Sequence, residues 1–136
     1  MTKSKETVAR AFGQTLDRDD FAEFAQLLAD DCIYEIGDQV LRTKESIAGL
    51  YEQNMLEGKK KFDELVWGQS RIESLNANEF EVYFSDYLKH RGIEHRYHCK
   101  QRIRINDALL VDQIVHFELP GERAALEAFY AKVGLV

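Results

Sequence analysis

The sequence predicts an α+β fold: helices in the first part of the chain, an antiparallel sheet through the middle, and one more helix at the end. Three observations carry this expectation. Apolar residues recur at helical spacing through residues 8–28 and 47–55, then alternate with a period of about two from residue 80 onward. Turn signals stand at 76–78, 90–94 and 106–107, so the long strands are joined by hairpins. Hairpin-linked strands exclude a doubly wound parallel sheet, which needs helical crossovers.

Each element has a local reason. Thr2 or Ser4 caps a first helix whose apolar side is Val8, Ala11, Phe12 and Leu16. The acidic run Asp17–Asp20 breaks it and supplies a new N-cap. A second helix follows, with Phe21, Phe24, Ala25, Leu27 and Leu28 on its apolar face. Around Cys32 the period changes, and Cys32, Tyr34 and Ile36 face one way along a strand. After a turn at Gly37-Asp38, Thr43 and Ser46 open a third helix that Gly58 ends. Phe62 to Leu75 reads as one ragged strand broken at Gly68. Phe80, Val82, Phe84, Asp86 and Leu88 share one face of the next strand. Tyr97, Cys99, Gln101, Ile103 and Ile105 share one face of the strand after it. The other face of that strand carries Arg96, His98, Lys100, Arg102 and Arg104. Leu109 to Leu119 is the last strand, and Pro120 opens the last helix, where its missing N–H costs no helical bond.

Composition narrows the class. The chain has 136 residues, enough to bury a core as one domain over 1–136, with disorder expected only at Met1–Lys5. A formal charge of −6, from 24 acids and 18 bases, argues against a nucleic-acid partner, which wants a basic face. No apolar run reaches the roughly 18 residues of a membrane span, and the polar N-terminus lacks a signal-peptide core. A cytoplasmic location is expected. Cys32 and Cys99 belong to no metal-binding spacing; a disulfide between them is formally possible, while their apolar surroundings suit buried thiols. Glycine-rich phosphate loops and nucleophile elbows are missing, so no cofactor is expected. Large apolar residues on both faces of several strands imply a partner surface, and a homodimer through one sheet face is expected.

The segments FAQLLADDCIYEIGDQ, TKESIAGLYE and RIRINDALLVDQIVHFEL resemble the opening and closing motifs of the nuclear transport factor 2-like superfamily, in its SnoaL-like and ketosteroid isomerase-like branch. The resemblance spans nearly the whole chain. It implies a sheet curled into an open cone that holds a small apolar molecule, and it implies no chemistry until residues are matched singly. Ketosteroid isomerases have a catalytic Asp where this chain has Ile36, an oxyanion-binding Tyr where it has Phe12, and a protonated Asp near Gln101. Against the epoxide hydrolases, the positions read Phe84, Asp86, Val115, Tyr34 and Ile36; Asp86 and Tyr34 match, and the Arg, the second Asp and the Asn do not.

On that cone, Asp86 is expected on the concave side, where apolar walls raise a carboxyl pKa and suit it to acid/base work. A structural Asp satisfied by a neighbouring donor is the alternative. Tyr34 is expected to point inward as a hydrogen-bond donor to a ligand carbonyl or to Asp86, or as a core aromatic. Phe12, Ile36, Phe84, Tyr97, Gln101, Gln113 and Phe117 are expected to line the pocket, with His95 nearer its mouth. His116 is expected on the convex side with Asp112, Ile114 and Glu118. His90, His95 and His98 lie close in sequence, yet His95 and His98 fall on opposite strand faces, so no metal site is expected. Two functions stand: a cofactor-independent isomerase, cyclase or hydrolase of an apolar carbonyl or epoxide compound, and a non-catalytic ligand-binding or dimerising domain.

Overall fold

The computed structural model describes residues 4–135. The alternative cap Thr2 lies outside the described residues, as do Met1, Lys3 and Val136. Helix α1 (Lys5–Asp17) starts at Ser4, whose hydroxyl accepts the Thr7 N–H at 3.1 Å. Lys5, expected to be disordered, is held by Asn78 at 2.6 Å and Asp107 at 3.0 Å. Val8, Ala9, Phe12 and Leu16 bury its apolar side. Asp19 turns the chain with φ of 58°, and Asp20 caps α2 (Phe21–Gln26).

Leu28, expected on that helix, instead begins β1 (Leu28–Ile36). The reason is tertiary: β1 runs parallel to β7 (Val111–Glu118), and the Leu27 carbonyl accepts the Val111 N–H at 2.8 Å. A short strand, β2 (Gln39–Arg42), follows; it is mostly exposed, so no alternation announces it. Thr43 caps α3 (Lys44–Lys61), as its spacing to Ser46 predicts. Gly58 does not end this helix, which runs on to Lys61. A Cβ at Gly58 would stand 2.7 Å from Leu65, so the glycine serves close packing instead.

The ragged segment divides into β3 (Glu64–Trp67) and β4 (Arg71–Ser74), both antiparallel to β5 (Glu79–His90). Strands β5 and β6 (Ile93–Ile105) form the long central hairpin across Arg91 and Gly92, both at positive φ. The sheet order is β2-β1-β7-β6-β5-β3, with β4 also on β5. It is therefore mixed rather than wholly antiparallel. The β1–β7 contact joins strands from opposite ends of the fold, with no hairpin to constrain their direction.

One irregularity decides which residues enter the interior. Arg104 faces Gln113 while Ile105 faces Val111, so Asp112 is the extra residue of a β-bulge. Val111 and Ile114 are both fully buried although three positions apart, which a regular strand forbids. The expected parity of β7 is thereby inverted beyond Asp112. Ile114 and His116 turn inward; Gln113, Val115 and Phe117 turn outward. Phe117 lies beneath the Lys100 and Arg102 cations, 5.6 and 5.5 Å from its ring centre.

Two clusters fill the concave side. The larger packs Val8, Phe12, Phe24 and Ile47 of the helices on Val82, Ile103, Ile105 and Ile114. The second seats α4 (Glu122–Val133) on Phe62 and Leu88 through Leu126, Phe129 and Val133. No helix among the described residues is long and apolar enough to cross a membrane. Phe12 is wholly buried against Phe24, ring centres 5.2 Å apart, so it belongs to the core. Phe12→Ala is expected to lower unfolding free energy by about 3–5 kcal/mol in denaturant titration. A loss below about 1 kcal/mol would show that the site is not packed as described.

Candidate functional site

Beyond the two packed clusters the concave face leaves an open cavity of about 270 Å³. Strand alternation supplies its floor: Phe84 and Asp86 from β5; Tyr97, Cys99 and Gln101 from β6. β1 adds Tyr34 and Ile36, and the bulged β7 adds His116. Leu16, Asp17 and Phe21 of α1–α2, Tyr51, Asn54 and Met55 of α3, Trp67 and Gly68, and Ser85 of β5 make the remaining wall.

Gln101 is buried at the inner end and ties three elements together. Tyr51 Oη lies 2.5 Å from its Oε1, a distance typical of O–H···O. Its Nε2 lies 3.1 Å from Tyr34 Oη and 3.4 Å from His116 Nδ1, in keeping with an amide donor. Tyr51 therefore donates to the Gln101 carbonyl, and the Gln101 amide nitrogen donates to Tyr34 and His116. The Tyr34 hydroxyl also lies within hydrogen-bond reach of the Tyr51 hydroxyl, while the proton on His116 Nε2 stays uncommitted among the described residues. The Tyr34 and Tyr51 rings stack at 5.3 Å. Burial pushes the Tyr34 hydroxyl up to about 12, so it is a neutral donor. Burial likewise holds the His116 imidazole below its ordinary value, with Arg123 lowering it further against the pull of Glu118.

Asp86 lies at the other end. Across the strands it faces Trp67 on one side and Tyr97 on the other. No hydrogen bond reaches its carboxyl among the described residues, and burial alone lifts its pKa to about 7. No hydrogen bond joins it to Tyr34. Neighbouring Cys99 and Tyr97 are both pushed up to about 12, chiefly by burial, so they remain neutral. Cys32 and Cys99 are free thiols.

The acidic turn after α1 builds the rim, a role its N-cap signal did not announce. Asp17 accepts from the Ser70 backbone N–H at 2.9 Å and from its hydroxyl at 2.8 Å. Asp19 accepts the Trp67 indole N–H at 2.7 Å and pairs with Lys59 at 3.2 Å. Together they lock the β3–β4 break over the cavity and fix the Trp67 ring.

The expected lining residues thus divide. Asp86, Tyr34, Ile36, Phe84, Tyr97 and Gln101 all line the cavity. Phe12 lies in the core, and Gln113 and Phe117 lie on the outer face, displaced by the Asp112 bulge. His116, expected outside, lines the cavity for the same reason. His95 stacks on Phe129 at 5.1 Å beneath α4, with its Nε2 buried and without a partner among the described residues. His98 bonds Ser85 at 2.8 Å on the outer face, and His90 accepts the Asp63 N–H at 3.2 Å. The outer cations pair across strands: Lys100 with Glu81 at 2.7 Å, Arg104 with Asp112 at 2.9 Å.

No family model and no curated protein matches the chain. Solved structures do. An LEH-like epoxide hydrolase of Mycobacterium tuberculosis superposes with a TM-score of 0.63 at 15% identity, over 95% of this chain and 94% of that one. A second M. tuberculosis protein, in complex with estradiol-17β-hemisuccinate, gives 0.63 at 12% identity over 88% and 98%. A nuclear transport factor 2-like protein of Cytophaga hutchinsonii gives 0.64 at 8% over 88% and 94%. The chain has the nuclear transport factor 2-like fold.

The Asp86 geometry makes a direct prediction. Between the ordinary Asp value and about 7, the native carboxyl keeps a proton that the unfolded chain has released, so stability falls as pH rises through that window. Above it, ionised Asp86 costs about 4 kcal/mol relative to an ordinary Asp. Carboxyl-carbon NMR is expected to give a midpoint near 7, and Asp86→Asn to stabilise the protein at pH 8 but not at pH 4. A midpoint in the ordinary range would refute the buried, unpartnered carboxyl.

Proposed function

We propose that this chain, of the SnoaL-like branch of its fold, binds one small, mainly apolar molecule in the cavity and that Asp86 moves a proton on it. The observation that carries this reading is a carboxyl with no hydrogen-bond partner among the described residues, facing an apolar cavity, whose pKa stands near neutrality. Such a group is as ready to accept a proton as to return one, which is what general acid–base catalysis at neutral pH requires. Tyr34, a neutral hydroxyl on the cavity wall, donates to a carbonyl or epoxide oxygen and stabilises the charge that develops there. Cys99 stays a thiol, and burial together with the neighbouring Asp86 raises rather than lowers its pKa, so proton transfer fits the site better than covalent attack. The epoxide hydrolase and the steroid-bound protein among the structural neighbours support a cavity for a small organic molecule.

A second reading, a non-catalytic binding domain, is favoured by one observation: Tyr34, Tyr51, Gln101 and His116 engage one another with no ligand needed. The free thiols suit a reducing, cytoplasmic compartment. A homodimer through the outer sheet face is also proposed. Val66 and Tyr87 stand directly opposite each other there, 59% and 39% exposed.

Solvent deuterium exchange into an enolisable apolar ketone separates the two readings. Catalysis is expected to rise with pH around the Asp86 midpoint and to fall about 100-fold or more in Asp86→Asn. Tyr34→Phe is expected to slow exchange about tenfold with little change in ketone affinity. Binding without exchange would leave the non-catalytic reading. Sedimentation at micromolar concentration is expected to give a dimer; a clean monomer would remove the interface.

A further inference from the structure

The cavity has a sign as well as a shape. Two carboxylates line it, Asp17 and Asp86, and among the described residues no Lys or Arg does. Its one basic side chain, His116, is held neutral by burial and accepts at Nδ1. Asp17 is spoken for by both donors of Ser70, so its charge is already solvated by the protein. Asp86 has no such donor. The nearby donors with partners point elsewhere: the Trp67 indole N–H to Asp19, the Tyr51 hydroxyl to Gln101, and the Gln101 amide to Tyr34 and His116; the Tyr97 hydroxyl and the Asn54 amide share the wall, and neither bonds the Asp86 carboxyl. What surrounds the Asp86 carboxyl is aromatic, with Trp67 and Tyr97 directly across the strands and Phe84 two residues earlier on its own face.

A carboxylate without donors, set among aromatic rings, is complementary to a weakly hydrated organic cation. Such a cation supplies the missing charge and gains from the ring quadrupoles, which an inorganic ion or a ligand hydroxyl does less well. We propose that the Asp86 end of the cavity binds an organic monocation, an alkyl- or arylammonium compound, whose charge sits on Asp86 between Trp67 and Tyr97. The apolar body of the ligand lies toward Ile36 and Met55. An anionic ligand is rejected because nothing in the wall offers it a positive charge. The chain's net charge of −6 draws cations to the mouth and repels anions. This inference rests on the reading of the cavity as a ligand site and is independent of whether a proton is transferred.

Three probes of one shape test it: para-tert-butylbenzylamine, para-tert-butylacetophenone and para-tert-butylbenzoate, titrated by calorimetry at pH 8 and pH 6. Of the other titratable groups on the wall, Tyr34, Tyr97 and Cys99 are pushed up to about 12 and burial raises Tyr51 well above its ordinary value, so none of these four changes charge in that interval, while Asp17 accepts both donors of Ser70. Burial holds His116 below its ordinary value, which opposes its protonation at pH 6. The amine is expected to bind at least tenfold more tightly than the ketone at pH 8, with the benzoate weakest. Its affinity is expected to drop about tenfold at pH 6 as Asp86 takes a proton, while that of the ketone holds. Asp86→Asn is expected to bring the amine down to the level of the ketone; should that variant not fold, the pH dependence of the wild type carries the test. A ketone that binds as well as the amine, an amine affinity that ignores pH, or a tightly bound benzoate overturns the proposal. Ketone binding without amine preference sinks this inference alone, whereas failure of all three probes sinks the ligand cavity with it.

Discussion

The buried amide of Gln101 is the constraint on which the cavity depends. It stands on β6 and meets β1 through Tyr34, α3 through Tyr51 and β7 through His116. Below it on the same strand face, Ile103 and Ile105 are sealed in the core; above it, Cys99 and Tyr97 look into open space. An apolar residue there would take away the acceptor of Tyr51 and the amide donor of Tyr34 and His116, a cost of about 1–3 kcal/mol. The amide therefore marks the floor of the cavity and sets the hydrogen-bond direction of everything it touches.

A second constraint works from the rim. The turn between α1 and α2 has three short acids, and each does something different: Asp17 holds Ser70, Asp19 holds Trp67 and Lys59, and Asp20 caps α2. Gly13 makes this closure possible, since a Cβ there would overlap Ser70. Rim and floor together keep the apolar walls apart, so that space remains where a well-packed domain would otherwise collapse.

Much of this is legible in the sequence because it rests on local rules. Residue type and spacing point to the caps, Ser4 as one of two candidates, Asp20 within the Asp17–Asp20 run and Thr43 with Ser46, and each accepts a first-turn N–H. Simple alternation along regular strands places Asp86, Phe84 and Gln101, and it holds there because β5 and β6 pair without interruption. It fails on β7 because a bulge is a property of two strands in register, and the residues around Asp112 look no different from a regular strand. Phe12 departs from expectation for another reason: its helical position faces the sheet, and how deeply that face is buried depends on Phe24 and the sheet beneath it. The overall fold can be read from the chain alone; the contents of the cavity can be read only where the strands are regular.

The pairing of β1 with β7 has a consequence for how the molecule is made. Tyr34 emerges from the ribosome early, yet its strand stays without its parallel neighbour until Ile114 and Val115 have followed. Until then β1 can pair only with β2, a short and largely exposed hairpin that is marginal in isolation. The cavity wall that joins Tyr34 to His116 is therefore among the last parts to close, and long-range closure of this kind is slow. For that interval the nascent chain presents an apolar strand edge to its surroundings, which makes folding during synthesis, rather than the finished structure, the stage most exposed to aggregation.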